Sequence, residues 1–457
     1  MKINVKKSNL MGKIQCPPSK SYTHRALVIS SLATGKSFVK NILLSRDTKA
    51  TINCCRMLGV NIQTSDSNSM STKNENVYVT SKGGHNGFMT PTDVLSADNS
   101  GTTIRLLTSV CALVSEGYSI LTGDDSLRKR PMGDLIKALN RLGVTCFSAK
   151  SNYFPPVIVK GGGIEGGVTQ VSGRISSQFT SSLLLSGIFS RMGTTIQVLG
   201  NQVSKPYIES TMHIMKHFGV NVQTEINDSF SENPMPGQDT QVTEEYIIPP
   251  NLSYSAKEFD VPGDFSTGAL LMSAAILSKG NITIGGLNFE MPQGDMAIID
   301  FIRKLGGHIM IDKLRGSVKI DGNSKLQGGY FNLKKTPDLL PVLAVLSLVA
   351  KGETQIEGIL HARFKETDRV ANISSQLKRF GADVIEKEDS ITIKPPQQIK
   401  STTIESFNDH RLFMAFTIAG LATENSTIEG AESVDVSYPH FTNDLKSLGA
   451  NIQLLMT

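Results

Sequence analysis

The chain has 457 residues, 46 Lys and Arg against 41 Asp and Glu, a net charge of +5, no Trp and 6% aromatic residues. That length is too great for one ordinary core and predicts two or three domains. The mild basicity fits an anionic small molecule and equally a weak nucleic-acid contact, while no apolar run reaches the roughly 18–20 residues that would span a membrane.

Lys2–Val5 reads as a strand with no earlier partner. No signal or transit peptide is therefore expected, and the strand should complete the part of the fold built by the C-terminal residues. An apolar helix with polar N-cap residues follows at Ser19–Gly35, and others recur at Ser100–Gly117, Ser176–Gly193, Gly263–Gly280, Thr336–Gly352 and Asn408–Asn425. Each is apolar on nearly every face, which belongs in a core. Short strands such as Thr194–Leu199, Asn281–Ile284 and Ser426–Glu429 come after them. An amphipathic helix then ends in one recurring signature: LGVNI at Leu58–Ile62, LGVTC at Leu142–Cys146, FGVNV at Phe218–Val222, LGGHI at Leu305–Ile309, FGADV at Phe380–Val384 and LGANI at Leu448–Ile452. The glycines lie 84, 76, 87, 75 and 68 residues apart. Glycine there suits a left-handed helix cap running into a strand, and six at a near-constant interval mean one unit used six times. The unit is helix, strand, helix, strand, strand, and six copies suit two lobes of three, strands wrapped around buried helices. Chain crossings between lobes fall near Pro17–Pro18 and Glu258–Pro262. The stretch Thr224–Pro250 is polar and aperiodic and reads as a mobile excursion from a hairpin.

Two motifs are rejected. Gly161–Gly166 fits G-x-G-x-x-G, but strand formers follow where a dinucleotide site needs a helix. Thr34–Ser37 imitates the end of a phosphate loop, yet it follows a helix instead of preceding one. The five cysteines, Cys16, Cys54, Cys55, Cys111 and Cys146, lie in the first third with no metal-ligand spacing, and are expected to be reduced thiols in a cytoplasm.

Charge gathers at helix starts: Lys20, Arg25, Arg105, Arg130, Lys205, Lys365, Arg369 and Arg411. Helix N-termini already favour anions, so bases there oppose the dipole and do nothing for the helix. One such base is an ordinary surface charge; eight at corresponding places imply a cleft for a ligand carrying phosphate and carboxylate. Ser176, Ser177 and Gln178 add uncharged donors at another helix start, and Tyr207 either stacks on a ring or staples its helix. Among the acids, Asp368 and Asp409 read first as helix caps. Asp338 and Glu366 are the candidates for proton transfer.

The segments PPSKSYTHRAL (Pro17–Leu27), DNSGTTIRLL (Asp98–Leu107), RPMG (Arg130–Gly133), SSQF (Ser176–Phe179), SKPYI (Ser204–Ile208), KETDR (Lys365–Arg369) and NDHR (Asn408–Arg411) resemble the 5-enolpyruvylshikimate-3-phosphate synthases, in order and nearly end to end. The resemblance implies an α/β (α+β) fold, a two-lobed inside-out α/β barrel of six βαβαββ repeats. One lobe would be 1–18 with 261–457, carrying phosphoenolpyruvate and catalytic residues; the other, 19–260, would carry shikimate 3-phosphate residues. It implies enolpyruvyl transfer from phosphoenolpyruvate to the 5-hydroxyl of shikimate 3-phosphate, through a tetrahedral intermediate and without metal or organic cofactor. The partners would be these two small molecules, with no nucleic acid or membrane, and the chain a cytoplasmic monomer.

Carried over by residue, Lys20 touches both substrates, Ser21 and Arg25 hold the shikimate part, and Ser176, Ser177 and Ser204 hold its phosphate. Gln178 lies between the substrates and Tyr207 lines the ring. Asn99, Gly101, Arg130, Arg369 and Arg411 surround phosphoenolpyruvate. Asp338 takes the 5-hydroxyl proton, Lys365 assists, and Glu366 handles the proton at the vinyl carbon. Two positions depart from the family pattern: Val436 stands where a donor-binding lysine is common, and His361 where one branch has Asn. UDP-N-acetylglucosamine enolpyruvyltransferases share the repeat but lack SSQ and KETDR. A sliding clamp, also a sixfold α/β repeat, needs lysines along exposed helix faces, and here the bases sit at helix starts.

Overall fold

The structure, a computed structural model, describes residues 1–64, 75–84, 87–226 and 241–455. Among these the α-helices are α1 (Lys20–Leu32), α2 (Arg46–Met57), α3 (Gly101–Val110), α4 (Gly133–Arg141), α5 (Ser177–Gly187), α6 (Lys205–His217), α7 (Phe265–Leu277), α8 (Ile298–Lys304), α9 (Leu340–Leu346), α10 (Arg369–Arg379), α11 (His410–Gly420) and α12 (Phe441–Ser447). The odd-numbered helices are the apolar ones. Every residue of α7 and α9 is buried. They are shorter than their apolar patterns suggest: α3 stops at Val110, continues as a 3-10 turn over Cys111–Leu113, and the chain reverses at Gly117 in the left-handed region. Apolar residues near a helix end are buried in the turn as readily as in the helix, so composition alone overextends the element.

The even-numbered helices end as the repeated signature predicts. Gly59, Gly143, Gly219, Gly306, Gly381 and Gly449 all have φ between +84° and +102°. In each copy the residue after the glycine donates its N–H back across the last turn, as in Val60 to Cys55 O (3.1 Å) and Ala450 to Leu445 O (3.0 Å). This closes the orphan carbonyls of the helix end and launches the next strand.

The strands form six separate four-stranded sheets among the described residues, all with one plan. Gly167–Ser172 runs parallel to Thr194–Leu199, Val242–Ile248 pairs antiparallel on its other side, and Gln223–Ile226 lies outermost. The hairpin thus includes both ends of the polar stretch expected to be an excursion. Val242–Ile248 is a strand, with one register irregularity opposite Val198–Leu199 and its side chains largely buried, which corrects the reading of Thr224–Pro250 as aperiodic throughout. The middle of that stretch, 227–240, lies outside the described residues.

Three sheets are completed by distant segments, one of them by Met11–Gln15, which runs parallel beside Asn281–Gly285. Lys2–Lys6 inserts between Ser426–Glu429 and Asn451–Leu455, and Glu258–Asp260 supplies the parallel edge beside Gly35–Ile42. The chain divides into a unit of Met1–Ser19 with Pro262–Thr457 and a unit of Lys20–Val261. In the first, α7, α9 and α11 pack on one another, and strand residues such as Ile282, Ile320, Ile356, Ile391 and Ile428 close over them. In the second, α3 packs against both α1 and α5. Helices fill the middle of each unit and the sheets cover them. Among the described residues no helix is long and apolar enough to cross a membrane.

Candidate active site

In the unit containing the C-terminal residues, charged side chains gather where α9, α10 and α11 begin. Arg369, the first residue of α10, is 1% exposed and donates to three carboxylates. Its Nε reaches Asp409 Oδ2 (2.7 Å), its Nη1 Asp338 Oδ1 (3.1 Å) and its Nη2 Glu366 Oε2 (2.6 Å). Asp409 is fully buried and also caps α11, accepting from the N–H groups of Arg411 (2.9 Å) and Leu412 (3.3 Å). The expectation of a cap holds for Asp409, but the same carboxylate anchors Arg369, so it works twice.

Asp338 lies in a 3-10 turn, Pro337–Leu339, that leads into α9. Arg411 Nη2 approaches it at 2.9 Å and also donates to Ser266 Oγ at 3.2 Å. Burial opposes the Asp338 charge, yet Arg411, Lys365 and Arg369 outweigh it and hold the carboxyl well below its ordinary range. Asp338 is therefore ionised at neutral pH, and three cations restrain it as a base. His361, buried nearby, is pushed down to about 3, by burial first and by the Lys365 ammonium second, so it is a neutral imidazole. Val436 is buried in the 3-10 turn Ala431–Val436, which packs against α11, the helix that carries Arg411 in its first turn.

In the unit of Lys20–Val261 the starts of α1, α3, α5 and α6 carry the expected residues. Lys20 Nζ meets Asp47 Oδ2 at 2.9 Å, and Asp47 comes from the first turn of α2. Arg25 is 1% exposed and donates to Thr211 Oγ1 (2.7 Å), Ser21 O (3.0 Å) and Tyr207 O (3.1 Å). Burial brings its guanidinium down to about 10, with the Tyr22 and Tyr207 hydroxyls acting in the opposite sense. A cation held by uncharged acceptors in a dry place favours an incoming anion.

Arg105 Nη1 donates to Gln178 Oε1 (2.8 Å) and Ser176 Oγ (3.3 Å), and Gln178 Nε2 donates in turn to Thr102 Oγ1 (2.9 Å). The Ser176 hydroxyl caps α5 and Ser177 is buried in its first turn. Arg130 Nη2 donates to Asn99 Oδ1 (2.9 Å). Gly101 opens α3 directly beneath it: a Cβ there would lie 3.0 Å from Arg130 Nη1. Ser204, ahead of α6, has φ +56°. A serine held in the left-handed region is uncommon, and such strain gathers at ligand sites.

Lys205, grouped in the sequence with the bases at helix starts, also has an acidic partner. Lys205 Nζ pairs with Glu244 Oε1 at 2.7 Å, and Glu244 is 8% exposed, with Tyr246 donating to its other oxygen (2.6 Å). Its charge is met within the protein. The carboxylates Asp47, Glu244 and Asp124, the last accepting from Asn99 Nδ2 (2.7 Å), were not legible as members of these clusters. Each comes from another element, whereas Asp409 inside NDHR, Glu366 inside KETDR and Asp338 at a helix start carried local signals.

A family model described as EPSP synthase (3-phosphoshikimate 1-carboxyvinyltransferase) matches residues 5–445. Curated relatives named 3-phosphoshikimate 1-carboxyvinyltransferase include those of Methanocaldococcus jannaschii, 40% identical over 98% of this chain and 99% of that one, and of Nitrosopumilus maritimus, 40% identical over 99% and 100%. The protein of Methanosarcina acetivorans is 38% identical over 99% of both. Among solved structures, an EPSP synthase from Acinetobacter baumannii superposes with a TM-score of 0.79 at 26% identity, covering 99% of this chain and 100% of that one.

Proposed function

The chain belongs to the EPSP synthase family, and we propose on that premise that its two charged clusters divide a two-substrate reaction between them. The enzyme transfers the enolpyruvyl group of phosphoenolpyruvate to shikimate 3-phosphate, in the shikimate pathway. The acceptor's 5-hydroxyl attacks C2 of the donor while C3 gains a proton, giving a tetrahedral adduct. The C2–O bond to phosphate then breaks, C3 returns a proton, and inorganic phosphate leaves.

The carrying observation is Asp338 between Arg369 and Arg411, at 3.1 and 2.9 Å. A donor bearing phosphate and carboxylate competes for those guanidinium groups. As it takes them, Asp338 loses cations that hold its proton affinity down, and becomes a better acceptor for the 5-hydroxyl proton. Base strength thus rises when the donor is in place. Glu366, already turned toward Arg369, serves C3, and Lys365 steadies the charge that develops on oxygen. In the other unit, Lys20 serves both substrates, while Ser21, Arg25, Ser176, Ser177, Ser204 and Tyr207 take shikimate 3-phosphate. Gln178, fixed by Arg105 and Thr102, lies between the substrates, and Asn99, Gly101 and Arg130 take the donor with Arg369 and Arg411. No metal or organic cofactor enters this scheme. The five thiols are free and buried, which suits a reducing cytoplasm. In this reading the partners are the two small molecules, with no nucleic acid or membrane, and the chain acts as a monomer.

The donor assignment is tested at Gly101. A methyl group 3.0 Å from Arg130 Nη1 is tighter than an ordinary contact, so the guanidinium shifts by a few tenths of an ångström. Gly101→Ala is expected to raise the KM for phosphoenolpyruvate roughly tenfold, the scale of one weakened charge-assisted contact, with the KM for shikimate 3-phosphate near that of the parent. Steady-state kinetics with each substrate varied in turn decides the matter. An unchanged donor KM, or an equal rise in both, contradicts the assignment.

A further inference from the structure

The Asn99 side chain, on the turn before α3, has a defined sense. Its Nδ2 donates to Asp124 Oδ2 (2.7 Å), which leaves Oδ1 to accept from Arg130 Nη2 (2.9 Å). An amide has one donor end and one acceptor end, and the donor end turned on a guanidinium is repelled. Asp124 is itself pinned. Its Oδ1 accepts from the Leu127 N–H (2.8 Å), its own N–H donates to Asp98 O (2.8 Å), and its carbonyl accepts from the Arg128 N–H (2.9 Å). The 3-10 turn whose first N–H it accepts, Leu127–Lys129, runs directly into Arg130. The side-chain path through Asn99 and the backbone path through Leu127 both start at this carboxylate and meet at one guanidinium.

We propose that Asp124 is a positioning residue for the donor: through Asn99 it sets the direction in which Arg130 presents its guanidinium to phosphoenolpyruvate. This rests on the assignment of Asn99 and Arg130 to the donor. The alternative role for an acid at this place is purely electrostatic, and the two differ in sign. A carboxylate near an anion site repels the anion, so on charge alone its removal tightens donor binding. As the anchor of Asn99, its removal weakens donor binding.

Asp124→Asn separates the two. The change keeps the volume, and the new carbonyl oxygen still accepts from Leu127. The new NH2 then faces the Nδ2 of Asn99, whose amide must turn and aim its donors at Arg130. The expected result is a KM for phosphoenolpyruvate roughly tenfold higher, with the KM for shikimate 3-phosphate and the thermal midpoint close to the parent's. In an Asn99→Ala background no amide remains to turn, and Asp124→Asn then adds no more than about twofold.

An unchanged or lower donor KM in Asp124→Asn, while Arg130→Ala raises it, overturns the proposal. So does a full further rise in the Asn99→Ala background, because Asp124 then acts without Asn99. If Asn99→Ala and Arg130→Ala both leave the donor KM unchanged, the donor assignment itself falls and takes the relay with it. Should Asp124→Asn lower the thermal midpoint, Asp124→Glu is the second variant. It keeps a carboxylate acceptor for Asn99 and is expected to return the donor KM to within about threefold of the parent, and a donor KM as high as that of Asp124→Asn counts against the relay.

Discussion

Asp338→Asn should lower kcat by roughly a hundredfold or more, because the side chain keeps its size but no longer accepts a proton. The accompanying change in binding separates catalysis from ion pairing. Asp338 pairs with both Arg369 and Arg411. Removing its charge frees both guanidinium groups for the anionic donor, so the KM for phosphoenolpyruvate should stay level or fall while kcat collapses. A variant that turns over within a few-fold of the parent shows that Asp338 is only a partner for the arginines. A variant that loses kcat but binds the donor far more weakly shows that the carboxylate holds the arginines in shape, with proton transfer done elsewhere.

The second large effect is expected at Arg369. Its guanidinium is 1% exposed and serves Asp409, Asp338 and Glu366 at once, and Asp409 is fully buried. Lysine offers a point charge on a flexible stem and cannot fork toward three carboxylates from one place. Arg369→Lys leaves at least one buried carboxylate short of a partner, which costs about 3–5 kcal/mol when a buried ion pair is broken. Urea unfolding at neutral pH should show a large fall in midpoint, together with a loss of activity that added donor does not restore.

The pH dependence has a fixed sign. Within this network the Asp338 carboxyl is held below its ordinary range, so the pairing stabilises the fold above the unfolded value of about 4, and that stability fades as pH falls through and below it. Arg369→Lys should therefore lose less than the parent on acidification, having less to lose. A midpoint and activity close to the parent's show that one positive charge suffices and the fork is immaterial.

How far such clusters can be read in advance depends on how local their causes are. The six capping glycines were legible because a left-handed residue at a helix end needs a particular amino acid, and a sheet plan repeated six times repeats the need. Inner helices were legible by their lack of a polar face, although their ends were not, since burial continues past the last helical turn. The bases at helix starts stood out for the same kind of reason: they contradict the dipole. Their counter-ions did not. Asp47 meets Lys20 from a neighbouring helix, Glu244 meets Lys205 from a strand, and Asp124 reaches Asn99 from a loop. These meetings are fixed by strand register and helix packing, which no local pattern encodes. Lys205 was grouped with the other bases because its position in the repeat is right, and its buried partner Glu244, on a strand, could be seen only in the structure. Asp338 was picked out as an acid among bases, but its restraint by three cations, and hence the way in which a donor would release it, needed the geometry.

The most direct measurement is release of inorganic phosphate from phosphoenolpyruvate by the purified chain, with and without shikimate 3-phosphate and with no added metal or cofactor. Phosphate should appear only when both substrates are present, in equal amount to the enolpyruvyl ether formed on the 5-hydroxyl, and Asp338→Asn should suppress both products together. Phosphate released from phosphoenolpyruvate alone, or an acceptor consumed without the ether, would contradict the account.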